Sequence, residues 1–172
     1  DGKATESSPL KPIGTYAETK VDAEMLVAQL EDRAVILRFA TLAGISPRPR
    51  LDTLLNQWSY EALSQGAIEC YQPEAWRPFI HVADASEAVT SALTSWPQIK
   101  HRCYNVVGFN TTKRQLAAEI MAQTGCRITD SPSPGDLRNY WVSGDLIKND
   151  LGFTPQFNMA ECVNEVCSAL KL

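Results

Sequence analysis

Two side chains near the start of the chain could carry out proton transfer. Tyr16 and Lys20 are four residues apart, within a segment (residues 15–31) whose apolar positions recur every three or four residues and so predict a helix. Side chains at this spacing share one helix face, about 6 Å apart along the axis. A neighbouring ammonium favours the ionised form of a phenol, so Tyr16 could accept a proton from a substrate hydroxyl. The same spacing also occurs on solvated helix faces that have no chemical role.

The remaining pattern predicts an α/β protein. Further helices are predicted at residues 53–65, 85–96, 111–124 and 145–151 and from 159 onward, with strands at 34–39, 68–71, 78–82 and 103–107. Strands alternate with helices, which favours parallel strand pairing. Asp52 and Asp84 are the predicted N-caps of two helices, and Thr111 or Thr112 is predicted to open the helix that runs to 124. Gly125 is predicted to end that helix, and Gly152 to end the next one. The stretch 131–135, with two prolines, is predicted to be a loop.

The composition argues against several functional classes. Of the 172 residues, 44% are hydrophobic and 21% are charged, as in an ordinary globular protein. The formal net charge of −4 argues against a nucleic-acid partner. No apolar run is long enough for a membrane span. The five cysteines and two histidines have neither metal-site nor disulfide spacing. The expectation is a cytoplasmic protein without metal, nucleic-acid or membrane partners.

A series of segments, in chain order, resembles the extended short-chain dehydrogenase/reductases of the NAD-dependent sugar-nucleotide epimerase/dehydratase family. The segments are 8–24 (SPLKPIGTYAETKVDAE), 36–44 (ILRFATLAG), 48–56 (RPRLDTLLN), 76–84 (WRPFIHVAD), 136–140 (DLRNY) and 151–155 (LGFTP). The first contains the family's Pro-rich approach, its Tyr-x-x-x-Lys motif and the Glu that follows. The fourth matches the Arg-x-x-x-His-Val-x-Asp signature. The resemblance covers essentially the whole chain, and the ordered series is more specific than any single motif.

The resemblance implies catalytic and cofactor-binding residues. Tyr16 would be the catalytic acid/base, and Lys20 would favour its ionised form and bind the nicotinamide ribose. Phe39, Thr41 and Leu42 would contact the nicotinamide cofactor, together with Tyr16 and Lys20. The cofactor would be NAD or NADP.

The resemblance also implies substrate-binding residues. Asn56 would orient a nucleotide sugar, and Arg77 and Arg138 would bind its diphosphate, because the planar guanidinium fits phosphate oxygens. The simpler alternatives are a salt bridge from Arg77 to Asp84 or another acid, and a surface partner for Arg138. His81 is predicted to be a hydrogen-bonded core residue at a strand end.

The fold implied is the second half of a Rossmann-type parallel sheet plus a small α/β substrate-binding domain. Residues 1–44 and 81–108 would belong to the dinucleotide-binding domain, and 45–80 and 109–172 to the substrate-binding part. The nine glycines are dispersed and do not form the family's Gly-x-x-Gly-x-x-Gly loop, which binds pyrophosphate. We therefore expect the glycine-rich N-terminal half to be absent. An exposed sheet edge would then be covered by that half or by a second copy of the chain.

The activity implied is that of an NAD(P)-dependent epimerase or dehydratase of a nucleotide-activated sugar. As an incomplete fragment, the chain could be inactive. The alternatives are an NADPH-dependent carbonyl reductase of the same family and a non-catalytic binding module derived from such an enzyme.

Overall fold

The computed structural model of the protein describes residues 2–96, 98–132 and 138–170. Its helices are α1 (Thr15–Ala28), α2 (Leu54–Gln65), α3 (Val82–Thr94), α4 (Lys113–Thr124), α5 (Asp145–Leu151) and α6 (Met159–Leu170). Its strands are β1 (Lys3–Ala4), β2 (Ile36–Phe39), β3 (Thr41–Ala43), β4 (Ala67–Cys70), β5 (Trp76–His81), β6 (Cys103–Val106), β7 (Phe109–Thr112), β8 (Arg127–Asp130) and β9 (Trp141–Val142). Residues 133–135 of the predicted loop, and 136 and 137 of a family segment, lie outside the described residues.

Parallel pairing dominates the strands, which confirms the predicted α/β class. β2 pairs with β6, β3 with β5, β4 with β8 and β1 with β9, all in parallel. Only Ala40 separates β2 from β3, so one extended segment pairs first with β6 and then with β5. The exception is β7, which runs antiparallel to β5. The chain reverses just before it at Gly108, where a Cβ would lie 3.1 Å from the Phe79 carbonyl oxygen, and a strand-end glycine commonly marks such close backbone approach.

Two hydrophobic cores lie on opposite faces of β5. Phe79 and Ile80 are neighbours on this strand and both are fully buried, and they point to opposite faces because side chains alternate along a strand. Phe79 belongs to a first core with Trp58 and with residues from α2, α4 and α6. Ile80 belongs to a second core with Tyr104 and with residues from α3, β6 and α5. The two cores therefore meet along a single strand.

Local signals correctly predicted how several helices begin and end. The Thr112 hydroxyl accepts a hydrogen bond from the Gln115 amide, and the Gln115 side chain accepts one from the Thr112 amide, which is a capping box at the start of α4. Gly125 ends the same helix at φ +73°, and Gly152 ends α5 at φ +68°. Both glycines adopt the left-handed conformation that glycine tolerates best.

The N-cap predicted at Asp52 is wrong. α2 begins one residue later than predicted, at Leu54, with Thr53 as its N-cap. The Asp52 carboxylate instead accepts two hydrogen bonds from Arg50, at 2.6 and 2.7 Å. The carboxylate pairs with a guanidinium two residues away, because this bidentate charged contact is stronger than a hydrogen bond to a backbone amide at the start of the helix.

The N-cap predicted at Asp84 is also wrong. α3 begins at Val82, and His81 is its N-cap. Asp84 is buried within the first turn, and its carboxylate accepts hydrogen bonds from the amides of Gln156 and Phe157, at 2.9 and 3.1 Å. It therefore tethers the segment before α6 to α3. Among the described residues, no ion pair joins Asp84 to Arg77, so that alternative for Arg77 is wrong.

Helix α1 is the least buried of the described α-helices. It contains no buried residue, and its apolar side chains Met25 and Leu26 are exposed, as is Leu30 just beyond its end. It ends at Ala28, three residues earlier than predicted, and residues 31–33 form a separate 3-10 turn. Strand β2 beneath it pairs only with β6 among the described strands. No helix within the described residues is long and apolar enough to cross a membrane.

Replacing Asp84 by alanine should lower the free energy of unfolding by about 2–4 kcal/mol, because two backbone N–H groups lose a charged acceptor. Urea denaturation would measure the change. Asp84→Asn, which keeps one acceptor oxygen, should lose about half as much. A loss below about 0.5 kcal/mol, the range of ordinary surface changes, would contradict the tether.

Candidate active site

A cleft of about 940 Å³ opens where α1, the β2–β3 segment and α2 approach one another. Six of the eight residues predicted for the site line it: Tyr16, Phe39, Thr41, Leu42, Asn56 and Arg138. They come from positions spread over more than 120 residues of the chain. The sequence therefore predicted a set of residues that the fold brings together, whereas the chemical role of each residue stays a prediction.

Tyr16 and Lys20 lie on one face of α1. The Lys20 Nζ is 5.5 Å from the centroid of the Tyr16 ring, as the four-residue spacing predicts. Tyr16 lines the cleft, and its side chain is highly exposed, at 77%. Lys20 is exposed behind it and is not a lining residue. The phenol is thus open to a bound molecule, with an ammonium one helical turn away.

Helix α1 is fixed by an ion pair that the sequence did not predict, although Glu24 is the Glu that follows the Tyr-x-x-x-Lys motif. The Arg38 side chain donates two hydrogen bonds to the Glu24 carboxylate, from Nε at 2.9 Å and from Nη2. Its Nη1 donates to the Glu6 carbonyl oxygen at 3.2 Å. The hydrogen bonds to Glu24 raise the pKa of Arg38. One guanidinium thereby joins α1 and the chain before it to β2. The sequence feature that could have indicated this ion pair is a single charged residue inside an apolar strand.

The chain before α1 is held to the same strands. The Glu6 carboxylate accepts a hydrogen bond from the backbone amide of Asn105 at 2.8 Å. Asn105 lies on β6 next to Arg38 on β2, and both line the cleft. The Arg38 guanidinium and the Asn105 backbone amide are therefore already paired within the protein.

The predicted cofactor residues lie where β2 passes into β3. Phe39 and Leu42 line the cleft with side chains 41% and 48% exposed, which is unusual for large apolar groups, and Thr41 lies between them. An exposed apolar surface beside a polar cleft suits a flat heteroaromatic ring. These residues could hold a nicotinamide.

Asn56 is buried on α2, and its amide supports the loop that follows β3. The side-chain nitrogen donates to the carbonyl oxygens of Gly44 and Arg50, at 3.4 and 3.0 Å. The side-chain oxygen has no hydrogen-bond partner among the described residues. A buried oxygen of this kind on a cleft wall can accept a hydrogen bond from a bound hydroxyl or amide.

The two predicted diphosphate-binding arginines occupy different positions. Arg138 is exposed and lines the cleft. Arg77 is only 4% exposed, and its Nη1 donates to the backbone oxygens of Trp76 and Arg138. Its guanidinium also lies over the Tyr140 ring, at 5.6 Å. Arg77 therefore supports the segment that carries Arg138 and does not line the cleft itself.

Comparison with known proteins links this architecture to one family. The model of the NAD dependent epimerase/dehydratase family matches residues 1–108. Among curated proteins, a UDP-glucose 4-epimerase of Corynebacterium glutamicum is 25% identical over 88% of this chain and 53% of its own length. An uncharacterised UDP-glucose epimerase of Bacillus subtilis is 23% identical over 96% of this chain and 54% of its own length. The chain thus spans about half the length of the curated relatives it matches.

Solved structures have the same fold. A UDP-glucuronic acid 4-epimerase from Bacillus cereus, in complex with UDP-glucuronic acid and NAD, has a TM-score of 0.81 at 19% identity, covering 99% of this chain and 57% of the other. A dTDP-glucose 4,6-dehydratase from Bacillus anthracis, in complex with NAD, has a TM-score of 0.80 at 22% identity, covering 98% and 55%. The predicted second half of a Rossmann-type sheet is confirmed.

Replacing Glu24 by alanine should lower the free energy of unfolding by about 2 kcal/mol, because it leaves the partly buried charge of Arg38 without its partner. Hydrogen exchange should also become faster along α1. The matched control is Asp52→Ala, which breaks the exposed pair with Arg50 and should leave urea denaturation nearly unchanged. Equal effects of the two variants would show that α1 does not depend on the Glu24 pair.

Replacing Gly44 by alanine should cost more stability than replacing Gly66. Both have positive φ, but a Cβ at Gly44 would lie 2.6 Å from His81 Nε2, whereas a Cβ at Gly66 would have nothing within 4 Å. Gly66→Ala should therefore cost only the left-handed backbone term of about 1–2 kcal/mol. Thermal denaturation of both variants would test this, and a smaller loss for Gly44→Ala would contradict it.

Proposed function

Because the chain belongs to the NAD dependent epimerase/dehydratase family, we propose that its cleft is the active site of an NAD(P)-dependent epimerase or dehydratase acting on a nucleotide-activated sugar. The observation that carries the proposal is the position of Tyr16. Its phenol opens into the same cleft as Phe39, Leu42 and Arg138, with Lys20 one helical turn behind it.

The proposed chemistry divides between the cofactor and this chain. A bound nicotinamide would supply a hydride acceptor at one sugar carbon and return the hydride later in the cycle. Tyr16 would take the proton from the hydroxyl on that carbon, and the Lys20 ammonium would favour the phenolate. The resulting keto sugar would then epimerise or lose water. Phe39, Thr41 and Leu42 would hold the nicotinamide in place.

The substrate side of the cleft favours a phosphorylated ligand. Arg138 would bind the diphosphate, and Arg77 would act on it through the Arg138 backbone. Asn56 would present its side-chain oxygen to the ligand. A small neutral carbonyl substrate needs no such guanidinium, and this favours a nucleotide sugar over the carbonyl reductase alternative. The relatives' names agree, since they are UDP-glucose epimerases.

We also propose a domain division that follows the two cores. Residues 1–44 and 81–108 would form the dinucleotide-binding part, and 45–80 and 109–172 the substrate-binding part. In support, the first core draws mainly on the substrate-binding segments, and the second mainly on the other two. Three members of the second core depart from the division: Ile80 at the end of segment 45–80, Ile147 of α5, and Phe153 just after that helix. Ala43 departs in the other direction, because it packs in the first core.

The second candidate is a non-catalytic binding module. It is favoured by the dispersed glycines, which leave this chain without the family's pyrophosphate-binding loop, and by the exposed apolar side of α1. That surface would be covered by a second copy or by the part of the relatives that this chain does not span. Titration calorimetry with NAD separates the candidates. Binding of NAD to this chain favours an enzyme. A chain that does not bind NAD and that dimerises as its concentration rises favours the module.

In the complete gene product, Tyr16→Phe should lower kcat for UDP-glucose by about 100-fold or more, because the phenol that transfers the proton is gone. Ligand affinity measured by calorimetry should change little. Tyr60→Phe, at an exposed tyrosine that does not line the cleft, is the matched control and should retain activity. Full activity of Tyr16→Phe would rule out the proposed acid/base role.

A further inference from the structure

The carboxylate of Glu165 joins two groups from distant parts of the chain. Glu165 lies on α6, and its Oε1 accepts a hydrogen bond from the backbone amide of Ile45 at 3.2 Å. Its Oε2 lies 2.7 Å from His81 Nε2. Ile45 follows β3 and His81 ends β5, so one side chain of the C-terminal helix links the ends of two neighbouring strands.

The contacts of His81 indicate the tautomer of its neutral ring and fix where the ring lies. Its Nδ1 accepts a hydrogen bond from the Ala83 amide at 3.2 Å. The proton of the neutral ring is therefore on Nε2, which donates to Glu165. The ring is buried and stacks on Phe157, with centroids 3.7 Å apart. Burial and stacking therefore hold the ring beside the carboxylate.

His81 and Glu165 hold the chain at Gly44, which forms part of the cleft wall. Gly44 packs directly against the His81 ring, at φ +108°. The Gly44 carbonyl accepts from Asn56 on one side of the peptide bond, and the Ile45 amide donates to Glu165 on the other. Gly44 and Asn56 line the cleft, whereas Glu165 does not.

We propose that Glu165 is a positioning residue for the cleft. Its carboxylate holds the Gly44–Ile45 peptide from the side away from the cleft and so fixes the position of this part of the wall. The cofactor would bind on one side of it, at Thr41 and Leu42, and the substrate on the other, at Asn56. The functional part of this inference rests on the proposed function. The C-terminal helix thereby acts on a site that it does not touch.

The first test uses the 172-residue chain without ligand. In nitrogen–proton correlation spectra, Glu165→Ala should shift the Ile45 amide and raise its hydrogen-exchange rate by about tenfold or more, as expected for a lost bond to a carboxylate. Glu165→Gln has one carbonyl oxygen for two donors and should give an intermediate change. The control Glu87→Gln, at an exposed position on α3, should leave Ile45 unchanged. An unshifted Ile45 in Glu165→Ala, or faster exchange spread evenly over the chain, would overturn the proposal.

The second test uses the complete gene product and UDP-glucose. Glu165→Ala should raise KM several-fold while kcat changes much less, because a displaced wall weakens binding without removing the group that transfers the proton. Glu165→Gln should partly restore KM. An unchanged KM would overturn the positioning role. If the unsubstituted protein turns over no nucleotide sugar, the proposed function fails by itself, and the Ile45 measurement still decides whether Glu165 holds the wall.

Discussion

The placement of the candidate active site depends on the ion pair between Arg38 and Glu24. Helix α1 carries Tyr16 and Lys20 but buries none of its residues, so packing alone does not fix it. The guanidinium in the middle of β2 supplies the bidentate contact that packing lacks, and it reaches the chain before the helix through Glu6. A charge inside an apolar strand is costly unless it is fully paired. The pairing of Arg38 thus also holds α1 against β2 at the edge of the cleft.

The features that the sequence predicted correctly are mostly local. The Tyr16–Lys20 geometry follows from helical spacing, and the cap at Thr112 and the stop at Gly125 follow from residues within one turn. Interactions between distant residues escaped prediction. Glu165 and His81 are 84 residues apart, and either residue could have served an ordinary local role. Asp84 shows the limit, because its sequence position suits an N-cap, yet two amides more than 70 residues away bind its carboxylate.

The resemblance to a family predicted which residues would meet but not what each would touch. Arg77 and Arg138 were given the same role from the motifs that contain them. The fold separates them into a buried support and an exposed cleft residue, because Arg77 lies on a central strand between two packed faces. Burial of this kind depends on strand order, and a single sequence does not report strand order.

The support that Arg77 gives to the Arg138 backbone has a consequence for how substitutions at the two positions combine. Two arginines that bound a ligand independently would have additive effects, because neither would depend on the position of the other. Here the loss of Arg77 also releases the backbone on which Arg138 stands. Once Arg77 is lost, replacing Arg138 removes less ligand-binding free energy than it does in the unsubstituted protein. The effects of the two substitutions are therefore not additive, and the residues at the two positions should vary together among related sequences.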